Sequence, residues 1–256
     1  MMYDEYKKKF IKEISNISYR YNVRDVFSDF CNVFAISLQN AVWFSEKKEQ
    51  EYIKTMSRYS KEEQEKLINL GCYVILGLES KMGDFLGECF EELSMNDKKY
   101  KGQCFTPYHI GLLMADMTYS KEHIEEIYKD KEITSLQDCC CGGGCLLISA
   151  CDVLKQRNLN YQEKVYIWAN DIDSLCVRMC YIQLSLIGAM AKVTCGDALK
   201  MEYIEEWLTP MYVMNYNKIV KNFTEREENI QNEEKMSKIL PSGNNDPKQL
   251  DLLDIC

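Results

Sequence analysis

The chain has 256 residues, of which 40 are acidic and 31 basic, leaving a net charge of −9. That sign opposes phosphate neutralisation, so a nucleic-acid partner would have to be held with the help of another protein. The longest apolar run, Cys72 to Leu78, falls far short of the roughly 20 residues of a membrane helix. Met1 to Lys12 is charged throughout and lacks the core of a secretory leader, so a cytoplasmic protein with no membrane contact is expected.

The first predicted elements are helices. Between residues 22 and 44, Val23, Val26, Phe27, Phe30, Phe34, Leu38 and Ala41 recur at helical spacing and form one apolar stripe. Ser60 followed by Glu63 has the spacing of a capping box, which opens a helix that buries Leu67, Gly71, Val74, Ile75 and Leu78. Phe85, Leu86, Cys89, Phe90 and Leu93 continue the pattern in a third helix. Residues 1–100 therefore read as a helical domain.

After Tyr100 the pattern changes to strands alternating with helices. Ile133 to Cys139 reads as a short strand, followed by a triple-glycine turn and a helix from about Gly144 to Lys155. Val165 to Ala169 is a second strand, leading to Asp171 and Asp173, and the next helix carries Leu175, Met179, Ile182 and Leu186. Lys192 to Cys195 is a third strand, ending at Gly196-Asp197. This alternation predicts an α/β domain over residues 101–222 with a parallel, doubly wound sheet, whose ligands bind at the carboxyl ends of the strands. Residues 223–256 form a charged tail, either a solvated helix or a tether.

The chemistry-bearing residues cluster at those strand ends. In Asp138-Cys-Cys-Cys-Gly-Gly-Gly144 the glycines permit positive φ and let backbone amides approach a ligand closely. Asp171 stands where a Rossmann fold puts a carboxylate on ribose hydroxyls, and Asp197 where a side chain can meet an adenine ring. Of the thirteen cysteines, Cys139, Cys140, Cys141 and Cys145 cluster, and Cys176 and Cys180 lie one helical turn apart. Paired C-x-x-C spacing is missing, so no metal is expected, and the thiols read as small apolar groups. His109 and His123 fall on predicted helices and need no catalytic role.

Taken in order, these residues resemble the adenine-specific DNA methyltransferases, especially the modification subunits of type I restriction systems and their orphan phage relatives. Asp84-Phe-Leu-Gly-Glu-Cys-Phe-Glu-Glu-Leu93 is similar to the D-x-x-G-x-x-Y/F-E segment ahead of that family's catalytic domain. Gly102-Gln-Cys-Phe-Thr-Pro107 is similar to its G-Q-F-F-T-P. Asp138 to Gly144 matches D-P-x-x-G-x-G, with cysteine in place of proline. The resemblance implies a Rossmann-like class I methyltransferase core, truncated and preceded by the helical domain. It also implies S-adenosylmethionine as cofactor, held by Phe105, Thr106, Pro107, Asp138, Gly142, Gly144, Asp171 and Asp197.

The departures define the remaining expectations. The family's N-P-P-F/Y sequence is absent, and the nearest counterpart is Thr209-Pro-Met-Tyr212. As a degenerate acceptor pocket, Tyr212 would stack on an extruded adenine while Thr209 and the Pro210 carbonyl accept from its amine. The alternative is that Thr209-Pro210 merely ends a helix. Only Met211 to Val220 could add a further strand, and no recognition region follows, so the sheet is expected to be either incomplete or completed by a partner. Near the end, Gln249-Leu250-Asp-Leu252-Leu253 resembles the peptide by which bacterial replication proteins dock on the sliding clamp.

Two functions follow from the resemblance, and the signature at Phe105 to Pro107 argues against a third. The first is a DNA adenine-N6 methyltransferase, or the methyltransferase subunit of a modification or restriction system. The second is a weak or inactive cofactor-binding subunit of a DNA-modification or replication assembly. The third is a methyltransferase for another acceptor.

Overall fold

A computed structural model describes residues 2–17, 19–94, 105–128, 133–222 and 224. Met1–Ile219 is one compact unit; Val220–Cys256 is another, within which Thr224 Oγ1 donates to the Val220 carbonyl at 3.0 Å. The clamp-like peptide lies outside the described residues, as does the expected domain boundary at residue 100.

Five helices come first: α1 (Met2–Ile17), α2 (Val23–Asn40), α3 (Glu46–Met56), α4 (Lys61–Ser80) and α5 (Phe85–Ser94). The capping box at α4 is formed: Glu63 N–H donates to Ser60 Oγ at 3.3 Å and Ser60 N–H to Glu63 Oε2 at 2.8 Å. Their shared core is aromatic, with Phe10 edge-on to Phe27, Phe30 and Phe85. Edge-to-face pairs of this kind add to the burial energy of the rings themselves.

Helices α6 (Tyr108–Thr118) and α7 (Lys121–Tyr128) lead to β1 (Thr134–Asp138), α8 (Cys145–Gln156), the single turn α9 (Tyr161–Lys164) and β2 (Val165–Asp171). Then follow α10 (Ser174–Leu186), β3 (Met190–Asp197), β4 (Glu202–Leu208) and α11 (Pro210–Met214). The sheet order is β1-β2-β3-β4, with β1, β2 and β3 parallel and β4 antiparallel to β3. The parallel half is as the sequence predicts. The fourth strand corrects it: β4 comes from Glu202–Leu208, while the Met211–Val220 stretch is helical apart from a turn at Asn215.

The two consecutive crossovers carry α8 and α10, and right-handed connections put both on one face of the sheet. Ile167, Ala169, Ala191, Val193 and Cys195 are buried on that face. On the other face Tyr166, Trp168, Lys192, Thr194, Tyr203 and Glu206 help line a cavity of about 470 Å³. The carboxyl ends of β1, β2 and β3 therefore lie side by side, at the edge where a parallel sheet binds its ligands.

Candidate functional site

Each candidate at this edge is placed by a strand end. The chain leaves β1 at Asp138 and turns through Cys139–Gly144 into α8, with Gly142 at φ +52° and Gly144 at φ +94°. Both angles lie in the left-handed region, which side chains with a Cβ avoid. Asp138 Oδ1 accepts from Cys140 N–H at 3.0 Å and starts the turn. Burial is the main influence that raises the Asp138 carboxyl above its ordinary value, and the Asp171 charge adds to it.

Asp171 closes the turn from the neighbouring strand. Its Oδ2 accepts from the Gly142 N–H at 2.8 Å, and its Oδ1 from the Asp173 N–H at 2.9 Å. Each oxygen carries two lone pairs, so the carboxylate is oriented by backbone and still able to accept from a ligand hydroxyl. Asp173 caps α10 by accepting from the Leu175 N–H at 2.8 Å. At the end of β3, Asp197 Oδ1 accepts from the Leu199 N–H at 3.0 Å, and its Oδ2 lies 3.3 Å from Lys200 Nζ.

Phe105 lies over the glycine turn: a Cβ added at Gly142 would stand 3.4 Å from its ring. The ring meets Phe90 of α5 edge-on at 5.6 Å, and the Phe105 N–H donates to Glu91 Oε1 at 3.0 Å. Thr106 is tied to α8, its carbonyl receiving the Cys145 thiol at 3.1 Å. Pro107 caps α6 and accepts from the Ile110 N–H at 2.8 Å. Gly102, Gln103 and Cys104 lie outside the described residues. Phe105, Gly142, Asp138 and Asp171 thus share one edge with Asp197.

Sequence reasoning missed Asn170, which clasps the three strand ends together. Its Nδ2 donates to the Cys139 carbonyl at 3.2 Å and to the Gly196 carbonyl at 3.1 Å. Its Oδ1 accepts from Thr194 Oγ1 at 3.0 Å, and its backbone carbonyl from the Cys141 N–H at 2.9 Å. The available signal was a polar residue at a buried strand position, which must find partners inside the fold.

Thr209, Pro210 and Tyr212 are not brought to this edge, and the expected acceptor pocket needs correcting. Thr209 is fully buried at the start of β3: its hydroxyl donates to the Ala189 carbonyl at 2.7 Å and accepts from the Ala191 N–H at 2.9 Å. It also caps α11 by accepting from the Tyr212 N–H at 3.3 Å, with Pro210 at the first helical position. From Ala191 to Asp197 the strand runs roughly 20 Å at about 3.3 Å per residue. The pair therefore begins a helix rather than ending one, at the far end of the strand. Tyr212 packs against Tyr166 and Tyr216, at 5.9 and 6.0 Å between ring centres.

The clustered thiols are divided. Cys139 and Cys140 are exposed, whereas Cys141, Cys145, Cys176 and Cys180 are buried. Among the described residues no group of three or more His, Cys, Asp or Glu side chains is placed to hold a metal ion. No described helix is long and apolar enough to cross a membrane.

The sequence pattern of N-6 DNA methylases matches residues 79–250, well over half of the chain. No curated protein matches. Among solved structures the chain is similar to a Listeria monocytogenes protein described as a class I S-adenosylmethionine-dependent methyltransferase. The identity there is 16%, over 77% of this chain and 55% of that one, with a TM-score of 0.42. It is also similar to the methyltransferase subunit of a type I restriction-modification system from Streptococcus thermophilus, with 14% identity over 79% and 53% and a TM-score of 0.37. The chain spans about half the length of these two structures. The match over residues 79–250 covers the glycine turn, the three strand-end acids and the D-x-x-G segment, and by it the chain belongs to the N-6 DNA methylase family.

Proposed function

We propose that this chain is the S-adenosylmethionine-binding portion of a DNA adenine-N6 methyltransferase. The observation that carries the reading is the turn after β1, which has two left-handed glycines and is fastened to the oriented Asp171 carboxylate. Its donor set fits the cofactor. Asp171 would take the ribose hydroxyls, Asp197 the adenine amine, and Phe105, Thr106, Pro107 and the glycine turn the remainder. Asp138 and Gly144 hold the turn in shape. When bound, the cofactor supplies an electrophilic methyl group.

A second reading is favoured by Thr209. With the nearest counterpart of the family's acceptor sequence built into the opposite end of the sheet, the chain serves as a cofactor-binding subunit whose acceptor pocket comes from elsewhere. The net charge of −9 fits this division, because DNA held at ordinary salt requires cationic contacts that a partner protein would supply. DNA remains the substrate in both readings.

Calorimetric titration with S-adenosylmethionine tests the shared part, and absence of binding would defeat both readings. Labelled cofactor with adenine-containing DNA separates them: methylated adenine formed by the chain alone supports the first, binding without transfer the second.

A further inference from the structure

Beneath the glycine turn lies a buried amide that the sequence motifs do not include. Gln183 is fully buried in α10, a helix whose Leu175, Met179, Cys180, Ile182 and Leu184 are buried as well. Its Nε2 donates to the Gly143 carbonyl at 2.9 Å and to Asp84 Oδ1 at 2.9 Å. Its Oε1 accepts from the Leu86 N–H at 2.9 Å. Asp84, 2% exposed, also accepts from the Gly87 N–H at 3.0 Å. A Cβ at Gly87 would come within 2.2 Å of the Asp84 carboxylate, which gives the glycine of the D-x-x-G segment a steric reason.

A primary amide has two N–H donors and one carbonyl acceptor, and here both ends are engaged. Such a group, surrounded by apolar side chains, is costly unless every partner is in place, so it specifies one arrangement of the elements it joins. Three elements meet at Gln183: the start of α5, the last turn of α10 and the turn after β1. The turn is held from the sheet side by Asp171 and Asn170, and from the helix side by Gln183.

We propose that Gln183, braced by Asp84, is a positioning residue that fixes the glycine turn from below and sets its readiness for the cofactor. The affinity part of this inference rests on the cofactor reading above; the part concerning the turn does not. Gln183 reaches the proposed cofactor site only through the Gly143 carbonyl. The D-x-x-G segment thereby links the helical half of the chain to the glycine turn.

The test is hydrogen–deuterium exchange of the full chain across residues 139–144, paired with S-adenosylmethionine titration. Wild type, Gln183→Leu, Asp84→Ala and Asp84→Asn are compared, with circular dichroism confirming that each is folded. Gln183→Leu should speed exchange in the turn and weaken cofactor binding by about tenfold, the factor expected from losing one or two net hydrogen bonds. Exchange in α2 should not change. Asp84→Asn, whose side-chain oxygen can still accept from both donors, should recover most of what Asp84→Ala loses.

Turn exchange in Gln183→Leu within twofold of wild type would overturn the proposal. If that variant does not fold, equal exchange in Asp84→Ala and Asp84→Asn overturns it instead. A wild type that binds no cofactor, yet shows turn protection lost in Gln183→Leu, defeats the cofactor reading and leaves the positioning role supported.

Discussion

The two ends of the parallel strands treat their polar residues differently. At the carboxyl ends, Asp138, Asp171 and Asp197 each accept from backbone N–H groups, hold a turn open, and keep acceptor capacity for something outside the fold. At the amino end of β3, Thr209 directs its hydroxyl entirely inward, to Ala189, Ala191 and Tyr212. A side chain whose lone pairs are all used by its own backbone stabilises the fold and has nothing left for a substrate. The difference separates an edge with acceptor capacity to spare from one committed to the fold, which the residue types alone did not do.

The largest expected effect that sharpens this contrast is at Thr209. Replacing it with Val keeps the volume and removes the hydroxyl, leaving the Ala189 carbonyl and the Ala191 N–H short of a partner. The variant should lose about 3 kcal/mol of stability in urea unfolding, at about 1–3 kcal/mol per buried orphan. Its S-adenosylmethionine affinity at 15 °C should be unchanged. A tenfold affinity loss in the folded variant would break the contrast.

Gly142→Val should do the reverse. A β-branched residue at φ +52° costs about 1–2 kcal/mol in backbone strain. Its side chain would also press on the Phe105 ring. Moderate destabilisation should therefore accompany a cofactor affinity at least tenfold weaker, a loss of about 1.4 kcal/mol. Wild-type affinity in this variant would remove the glycine turn from the site.

A smaller effect concerns pH. Burial, the largest influence, raises the Asp84 carboxyl to about 6 from its ordinary 3.8, and Glu88 and Glu91 push the same way. Between those values the folded chain binds a proton that the unfolded chain has released. Stability from this group is therefore greatest on the acid side and declines as pH rises toward 6. The unfolding free energy of Asp84→Asn relative to wild type should grow over pH 4 to 7; a flat difference would contradict the assignment. The smallest effect is at Tyr212: Tyr212→Ala should leave cofactor affinity within twofold, because the ring packs on Tyr166 far from Asp171.

Much of this architecture was legible in the sequence, because hydrophobic period and turn chemistry are local. β1, β2, β3, α8 and α10 follow from apolar runs bounded by glycines and acids, and Ser60-Glu63 is formed as a capping box. β4 was not legible: Glu202–Leu208 carries three glutamates, and it forms a strand because β3 offers an edge at that register. Only the fold supplies that edge.

The candidate site was legible where a motif has a backbone reason, as at Gly142 and Asp171. It was misread at Thr209-Pro210, although threonine before proline is itself a helix-start signal, with the hydroxyl as cap and proline at the first turn. Asn170 and Gln183 escaped because a buried amide belongs to no periodicity. Each was visible only as a polar residue at an apolar position, and the partners that explain it come from distant elements.

The central claim is that cofactor binding resides at the carboxyl edge and depends on the oriented Asp171 carboxylate. Calorimetric titration of S-adenosylmethionine into wild type and Asp171→Asn, both checked for native circular dichroism, tests it most directly. The account predicts binding by the wild type and at least a tenfold loss, about 1.4 kcal/mol, in the variant. No binding by the wild type, or equal affinity in the two proteins, would contradict it.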